Sequence, residues 1–221
     1  MAEKLLPTEV AAFYARKLGQ PAFIASESDG AGGQLDLHGF PPTRGRPFWV
    51  VGSLGMSGRA MNVPPQAWRA GTPLHAEMLL LLPKRFFGRH RQGASAAALD
   101  RPEAWPVRFT RMLARMPRLL DGWLAVGHVI PGADAPHADG YSGAVLLPPI
   151  GAFDPEDHVV QTASGRGVQL LSPTFLYLDE MEYQTRHGYQ ALASLLHDRG
   201  VTSLFQPQRR SVVANPWWRF W

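Results

Sequence analysis

The chain has 221 residues, 45% of them hydrophobic, and a formal net charge of +4, which fits one large globular domain with appendages. It contains no cysteine, so disulfide scaffolds, thiolate metal sites and cysteine nucleophiles are excluded together. Its longest apolar runs, such as 78–82, fall far short of the ~20 residues that a membrane-spanning helix needs. The N-terminal stretch MAEKLLPTEV lacks the basic and then apolar design of a secretory signal. We therefore expect a cytoplasmic protein that does not span a membrane.

The N-terminal half of the chain predicts one helix and then mainly strands. The helix has Thr8 as its N-cap and ends at Gly19. Residues 26–46 are turn-rich and contain at most a short strand over 34–38. Further strands are predicted over 47–53, 76–82, 123–130, 143–147 and 168–178. Several of them are nearly continuous apolar runs, which is typical of a sheet covered on both faces.

Two further helices complete the prediction. The clearer one is WPVRFTRMLARMP, with Pro106 in its first turn and Pro117 as its stop. The other covers 179–199, is interrupted at Gly188, and precedes a strand-like segment at 201–205. Because the helices are too few for strict alternation with the strands, we predict an α/β (α+β) fold with a mixed β-sheet flanked by helices.

Charge is distributed unevenly along the chain. Residues 84–118 carry nine Lys or Arg side chains against two acids, whereas 119–182 carry one Arg against nine acids. These two segments either attract each other within the fold or form a dipolar surface that steers a protein partner. A net charge of +4 is too small to indicate nucleic acid as the partner.

One cluster has the side chains of a metal site. The sequence GHVIPGADAPHADGY places four such residues within twelve positions: His128, Asp134, His137 and Asp139. Two imidazoles and one carboxylate can hold a catalytic divalent ion, so a metal-dependent hydrolase using His128, His137 and Asp139 is one alternative. The spacing matches no known ligand pattern, and a Pro/Gly-rich turn uses Asp to cap its own backbone. We therefore expect no metal.

Other catalytic patterns are weak. Asp179 and Glu182 share a helix face, with Glu180 beside them; such a pair could serve acid–base chemistry, but acids at a helix N-terminus are favoured by the dipole alone. The chain has no G-x-S-x-G elbow, and GSLGMSG lacks the lysine of a phosphate-binding loop. We predict no catalytic residue and no cofactor.

Four stretches together resemble the suppressor-of-fused domain family: 46–65, 76–83, 105–149 and 175–212. They contain, in order, GMS, an EML strand, WP followed by LARMP, GHVIP, SGAVLLPP and DEME. Departures from the family pattern include Asp179 in place of Glu and Val129 in place of Thr. The resemblance implies a single suppressor-of-fused-like domain over 46–212. An N-terminal helix and variable loop region over 1–45 pack on it, and an aromatic tail follows over 213–221.

The resemblance also implies a function. It suggests a cytoplasmic binding protein without enzymatic activity, and stand-alone members of the family look bacterial and resemble immunity proteins. Our hypothesis is that the chain binds one cognate toxin stoichiometrically and blocks its active site or substrate path. The alternative among binding proteins is a regulator or adaptor that captures an extended peptide, by adding it to a sheet edge.

Three kinds of side chain are candidates for partner binding. Acids on turns and the arginine row of the WPVRFTRMLARMP helix can steer a charged partner. Tryptophans at a terminus are costly to leave in water, so we expect the tail to dock on its own domain, with a partner pocket or a second copy as alternatives. The candidates are Asp134, Asp139, Asp154, Glu156, Asp157, Arg108, Arg111, Arg115, Arg118, Trp217, Trp218 and Trp221.

Overall fold

The computed structural model describes residues 6–28, 33–88, 95–132 and 139–213, which form an eight-stranded mixed sheet with helices on both sides. The strands are β1 Phe23–Ser28, β2 Gln34–Phe40, β3 Phe48–Leu54, β4 His75–Pro83, β5 Val129–Pro131, β6 Gly143–Leu147, β7 Val159–Gln161 and β8 Gly167–Leu176. The helices are α1 Leu6–Leu18, α2 Pro65–Arg69, α3 Trp105–Leu119 and α4 Leu178–Asp198. The predicted fold class is confirmed.

The sheet has the order β1-β2-β3-β4-β8-β6-β5, and β7 pairs with β8 beside this path. Strands β1 to β4 form an antiparallel meander. The β4–β8 pair is parallel, with Ala76 opposite Gln169, and it uses only the first half of β8. The second half of β8 pairs antiparallel with β6, where Val145 lies opposite Thr174. One long strand therefore joins the two parts of the sheet.

Side chains of the central strands point alternately to the two faces of the sheet, so the domain has three layers. In β4, Leu80 and Leu82 pack in the cluster that contains α3, whereas Leu79 and Leu81 pack in the cluster that contains α1. In β6, Val145 faces a third cluster, built with α4. Successive side chains of a strand point to opposite faces, so α3 covers one face while α1 and α4 cover the other. The apolar runs had predicted this double coverage.

Some predicted strands were wrong in extent. The turn-rich segment contains β2 and the end of β1, which starts at Phe23, and β1 was missed because half of its sequence FIASES is polar and half of its residues are exposed. The predicted strand over 123–130 is reduced to Val129–Pro131. Gly127 explains the difference, because its φ of 90° interrupts the extended backbone and its N–H donates to the Leu146 carbonyl at 2.8 Å.

The helix ends also differ from prediction. Helix α1 already includes Leu6, so Thr8 lies inside the helix and is not its N-cap. Helix α3 continues through Pro117 to Leu119, so the proline lies in the last turn and does not end the helix. Gly188 interrupts α4 as predicted, with φ 85°. Within the described part of the chain, none of the helices is long and apolar enough to cross a membrane.

Candidate protein-binding surface

A buried carboxylate in β4 anchors the turn that follows β3. Glu77 Oε1 accepts from the backbone N–H groups of Gly55 and Ser57, at 3.0 and 2.9 Å, and from the Ser57 hydroxyl at 2.6 Å. Its Oε2 accepts from the Ser53 hydroxyl at 2.5 Å. Burial raises the pKa of the Glu77 carboxyl, against the opposing effect of these hydrogen bonds. Because its oxygens are occupied within the fold, Glu77 positions the turn.

The three acids at the start of α4 have different partners. Asp179 accepts from the Ser211 hydroxyl at 2.6 Å, and Glu182 forms an exposed pair with Arg186 at 3.0 Å. Glu180 is fully buried and accepts from the N–H of Tyr177, the residue before the helix, at 2.9 Å. Glu180 therefore caps the helix, as acids at this position were expected to do.

Glu180 also binds the C-terminal segment. Arg209 donates to both of its carboxylate oxygens at 2.6 Å, and the N–H of Val212 donates to Oε1 at 2.8 Å. The Arg209 guanidinium lies over the Tyr141 and Tyr177 rings, 5.6 and 5.1 Å from their centroids. Burial works to lower the pKa of Arg209, but the hydrogen bonds and charge of Glu180, together with Tyr141 and Tyr177, raise it overall. This buried pair fastens the segment that ends the described chain.

The described members of the metal-like cluster have other contacts. The His128 ring lies against Trp123 with centroids 4.3 Å apart, and burial lowers its pKa. Asp139 accepts from the indole N–H of Trp105 at 2.9 Å. Both residues therefore support neighbouring aromatic rings. The remaining members lie outside the described residues: Asp134 and His137.

The arginine row of α3 binds its own domain along much of its length. Arg108 donates to backbone carbonyls in the segment 99–102, including Arg101 at 2.5 Å. Arg111 and Arg115 approach Glu27 of β1 at 3.3 and 3.8 Å. The row was named as a candidate for partner binding; in the fold, these three side chains attach α3 to its neighbours.

The predicted acidic residues do not form one patch. Asp139 lies beside α3, whereas Asp157 pairs with Lys17 of α1 at 2.5 Å, on the opposite face of the sheet. Asp154 and Glu156 are exposed on the turn that leads into β7. Of the acidic candidates that the structure describes, these two are the exposed ones. The tail tryptophans lie outside the described residues: Trp217, Trp218 and Trp221.

Arginines and exposed apolar side chains meet at the C-terminal end of α3. Arg59, Arg115 and Arg118 line a groove there, together with one acid, Asp121. A second groove lies beside α2 and contains Trp68 and Arg166. Ala60 borders both grooves, so they are neighbours. We call this region the arginine–tryptophan surface, defined by Arg59, Trp68, Leu74, Arg118 and Arg166.

Sequence reasoning found only part of this surface. Arg118 was identified from its place in the arginine row. Trp68 was missed because it lies in a short helix, the five residues Pro65–Arg69, that carries no apolar period. An isolated tryptophan among prolines and polar residues was the available signal.

The described residues form a three-layer α+β domain in which a mixed sheet is covered on both faces. The profile of the Suppressor of fused protein (SUFU) family matches residues 32–210. This chain therefore belongs to the suppressor-of-fused family.

Solved structures share the fold at low sequence identity. The Sufu–Fu complex structure has a TM-score of 0.57 at 14% identity, covering 95% of this chain and 91% of that chain. Drosophila Suppressor of Fused has a TM-score of 0.57 at 13% identity, and the match covers 94% of this chain and 50% of that chain. A SUFU homologue from Neisseria gonorrhoeae has a TM-score of 0.61 at 13% identity, and the match covers 95% of this chain and 98% of that chain. A comparison with curated proteins finds no match.

Proposed function

We propose that this chain is a binding protein without enzymatic activity, and that it neutralises a cognate bacterial toxin by forming a one-to-one complex with it. The observation that carries the proposal is the placement of ionisable side chains. The buried acids and imidazole of the described residues, Glu77, Glu180 and His75, each bind the fold itself. Arginines and Trp68, which are common at the centres of protein interfaces, line the surface instead.

The comparisons support a protein partner. One structure with this fold is described as a complex of Sufu with Fu. The Neisseria homologue is matched over 98% of its own length, so a bacterial relative of similar extent exists. Fold alone does not define function, and the toxin enters the proposal through the family resemblance to stand-alone immunity proteins.

The proposed mechanism is steric. The rigid domain covers the active site or the substrate path of the toxin, and no covalent step is involved. Complementary charge accelerates encounter, while a central desolvated cluster slows dissociation. Fastening by Glu77 and Glu180 keeps the surface turns in fixed positions, which lowers the conformational entropy lost on binding.

The second candidate function is capture of an extended peptide. The order of the sheet ends at β5, which among the described strands pairs only with β6. A groove beside β5 contains Pro131, Met181 and the exposed Leu178. A peptide strand added at this edge would place its side chains in that groove.

Co-expression tests the toxin proposal. The chain is produced together with the polypeptide encoded by the neighbouring gene, in a host whose growth that polypeptide arrests. We expect the wild-type chain to restore growth and to co-purify with the polypeptide. Continued arrest in cells that contain folded chain would contradict the proposal, whereas binding of a non-toxic peptide at β5 would favour the second candidate.

A further inference from the structure

The arginine–tryptophan surface is held together by backbone hydrogen bonds. The Met61 N–H donates to the Leu74 carbonyl at 2.7 Å, and this bond closes the base of the loop 61–74, which contains α2. The N–H of Asn62 donates to the Gly122 carbonyl at 3.1 Å, and its side chain donates to the Asp121 carbonyl at 3.2 Å. These bonds attach the base of the segment that carries Trp68 to the loop that follows α3.

Large apolar side chains are exposed on this surface. Trp68 is 56% exposed, and it lines its groove together with the partly exposed Pro73 and Leu74. Single exposed leucines are ordinary, but grouped apolar side chains with a polar rim mark interaction sites. Tryptophan is also among the residues that most often dominate binding energy.

The charge of the surface is positive. Three arginines and Asp121 line the groove at the end of α3, and Arg166 lines the groove beside Trp68. Arg59 is exposed, and Arg118 and Arg166 are partly exposed. A guanidinium presents a planar fork that matches a carboxylate in two hydrogen bonds. The complementary ligand is therefore anionic and also offers an apolar group.

We propose that the arginine–tryptophan surface binds an acidic segment of the partner protein, whose apolar side chain packs on Trp68 while its carboxylates pair with Arg59 and Arg166. The assignment deepens the proposed function and rests on it in naming the toxin as the source of that segment. A protein segment fits better than single-stranded nucleic acid. The latter requires successive aromatic platforms, whereas among the described residues that line the two grooves Trp68 is the one Phe, Tyr or Trp.

Peptide selection tests the surface without the toxin. A phage library of random short peptides is panned on the wild-type chain alone, and the selected peptides are then measured on the triple variant W68S/R59E/R166E. We expect selected peptides to combine Asp or Glu with an apolar residue, and to bind the triple variant about 30-fold more weakly or worse. The control I150S/R186E changes an exposed apolar residue and an exposed arginine elsewhere and should bind like the wild type.

The outcomes separate the surface from the toxin. Peptides of basic composition, or equal binding by the triple variant, would overturn the assignment. So would preferential binding of a single-stranded oligonucleotide to Trp68, or loss of a chain–chain dimer in the triple variant. If the neighbouring polypeptide does not bind but acidic peptides do, the surface assignment stands and the toxin proposal fails. If the polypeptide binds the triple variant and the wild type equally, the toxin proposal stands and the surface assignment fails.

Discussion

Replacing Glu180 by Gln should destabilise the domain strongly, because all four donors around its carboxylate are fixed. Two belong to the Arg209 guanidinium, and two are the backbone N–H groups of Tyr177 and Val212. In E180Q an NH₂ group would replace one of the two oxygens and would face two of these donors. Backbone N–H groups and a guanidinium cannot accept a hydrogen bond, so those two donors would lose their partner. Arg209, 7% exposed at its side chain, would also lose its counter-charge.

The expected loss is about 3–5 kcal/mol of unfolding free energy, the usual cost of breaking a buried pair by removing one partner. For a domain of this size that corresponds to a melting temperature lower by about 6–20 °C. The assay is urea unfolding followed by circular dichroism, with E182Q as the matched control on the same helix. Glu182 pairs with Arg186 in solvent, with side chains 52% and 70% exposed. The control should therefore change stability by less than about 0.5 kcal/mol.

A double variant makes the reasoning refutable even if E180Q folds poorly. R209M alone leaves the Glu180 carboxylate buried without its cation, so it should also be costly. In E180Q/R209M neither charge remains, and the loss should be clearly smaller than the sum of the two single losses. Equal stability of E180Q and E182Q, or additive losses in the double variant, would show that the pair does not fasten the C-terminal segment.

Three further predictions concern the core, the surface and the tail. Because the pKa of Glu77 is raised by burial, the folded state keeps a proton that the unfolded chain has released. Wild-type stability should therefore fall relative to E77Q as pH rises from about 4 toward 7; parallel urea midpoints would contradict this. The reversal D154K/E156K, on the exposed turn before β7, should slow association with a basic part of the toxin and flatten its salt dependence. Unchanged stopped-flow kinetics would place the interface elsewhere. Deletion of 216–221 should lower the melting temperature of the isolated chain, since tail aromatics are expected to dock in cis; equal stability with lost binding would assign them to the partner.

The central strands could be predicted from the sequence because their burial gives them a simple pattern of residues. Strands buried on both faces are apolar throughout, so 143–147 was identified at its true bounds. Edge strand β1 carries only alternate buried positions and was missed. Gly143 of the SGAVLLPP motif is explained only by the structure, since a Cβ there would lie 2.5 Å from the Ile130 carbonyl oxygen.

Contacts distant in sequence account for what could not be predicted at the candidate surface. Glu180 was noted as one of three acids, but its pairing with Arg209 joins positions 29 residues apart. Glu77 stood as the one acid within an apolar run, which is a signal of a buried structural carboxylate. The two grooves meet at Ala60 through contacts between residues distant in sequence, such as the bond from the Asn62 N–H to the Gly122 carbonyl, which local patterns do not encode.

The central claim is that the chain neutralises its partner by stoichiometric binding, and titration of toxin activity tests it most directly. A fixed amount of the toxin encoded by the neighbouring gene is mixed with increasing amounts of the chain, and residual toxin activity is measured after equilibration. The account predicts a linear loss that ends at one equivalent of chain, with recovery of active, unmodified toxin when the complex is dissociated. Complete loss at a small fraction of an equivalent, progressing with time, would contradict it, because one chain would then be inactivating many toxin molecules as an enzyme does.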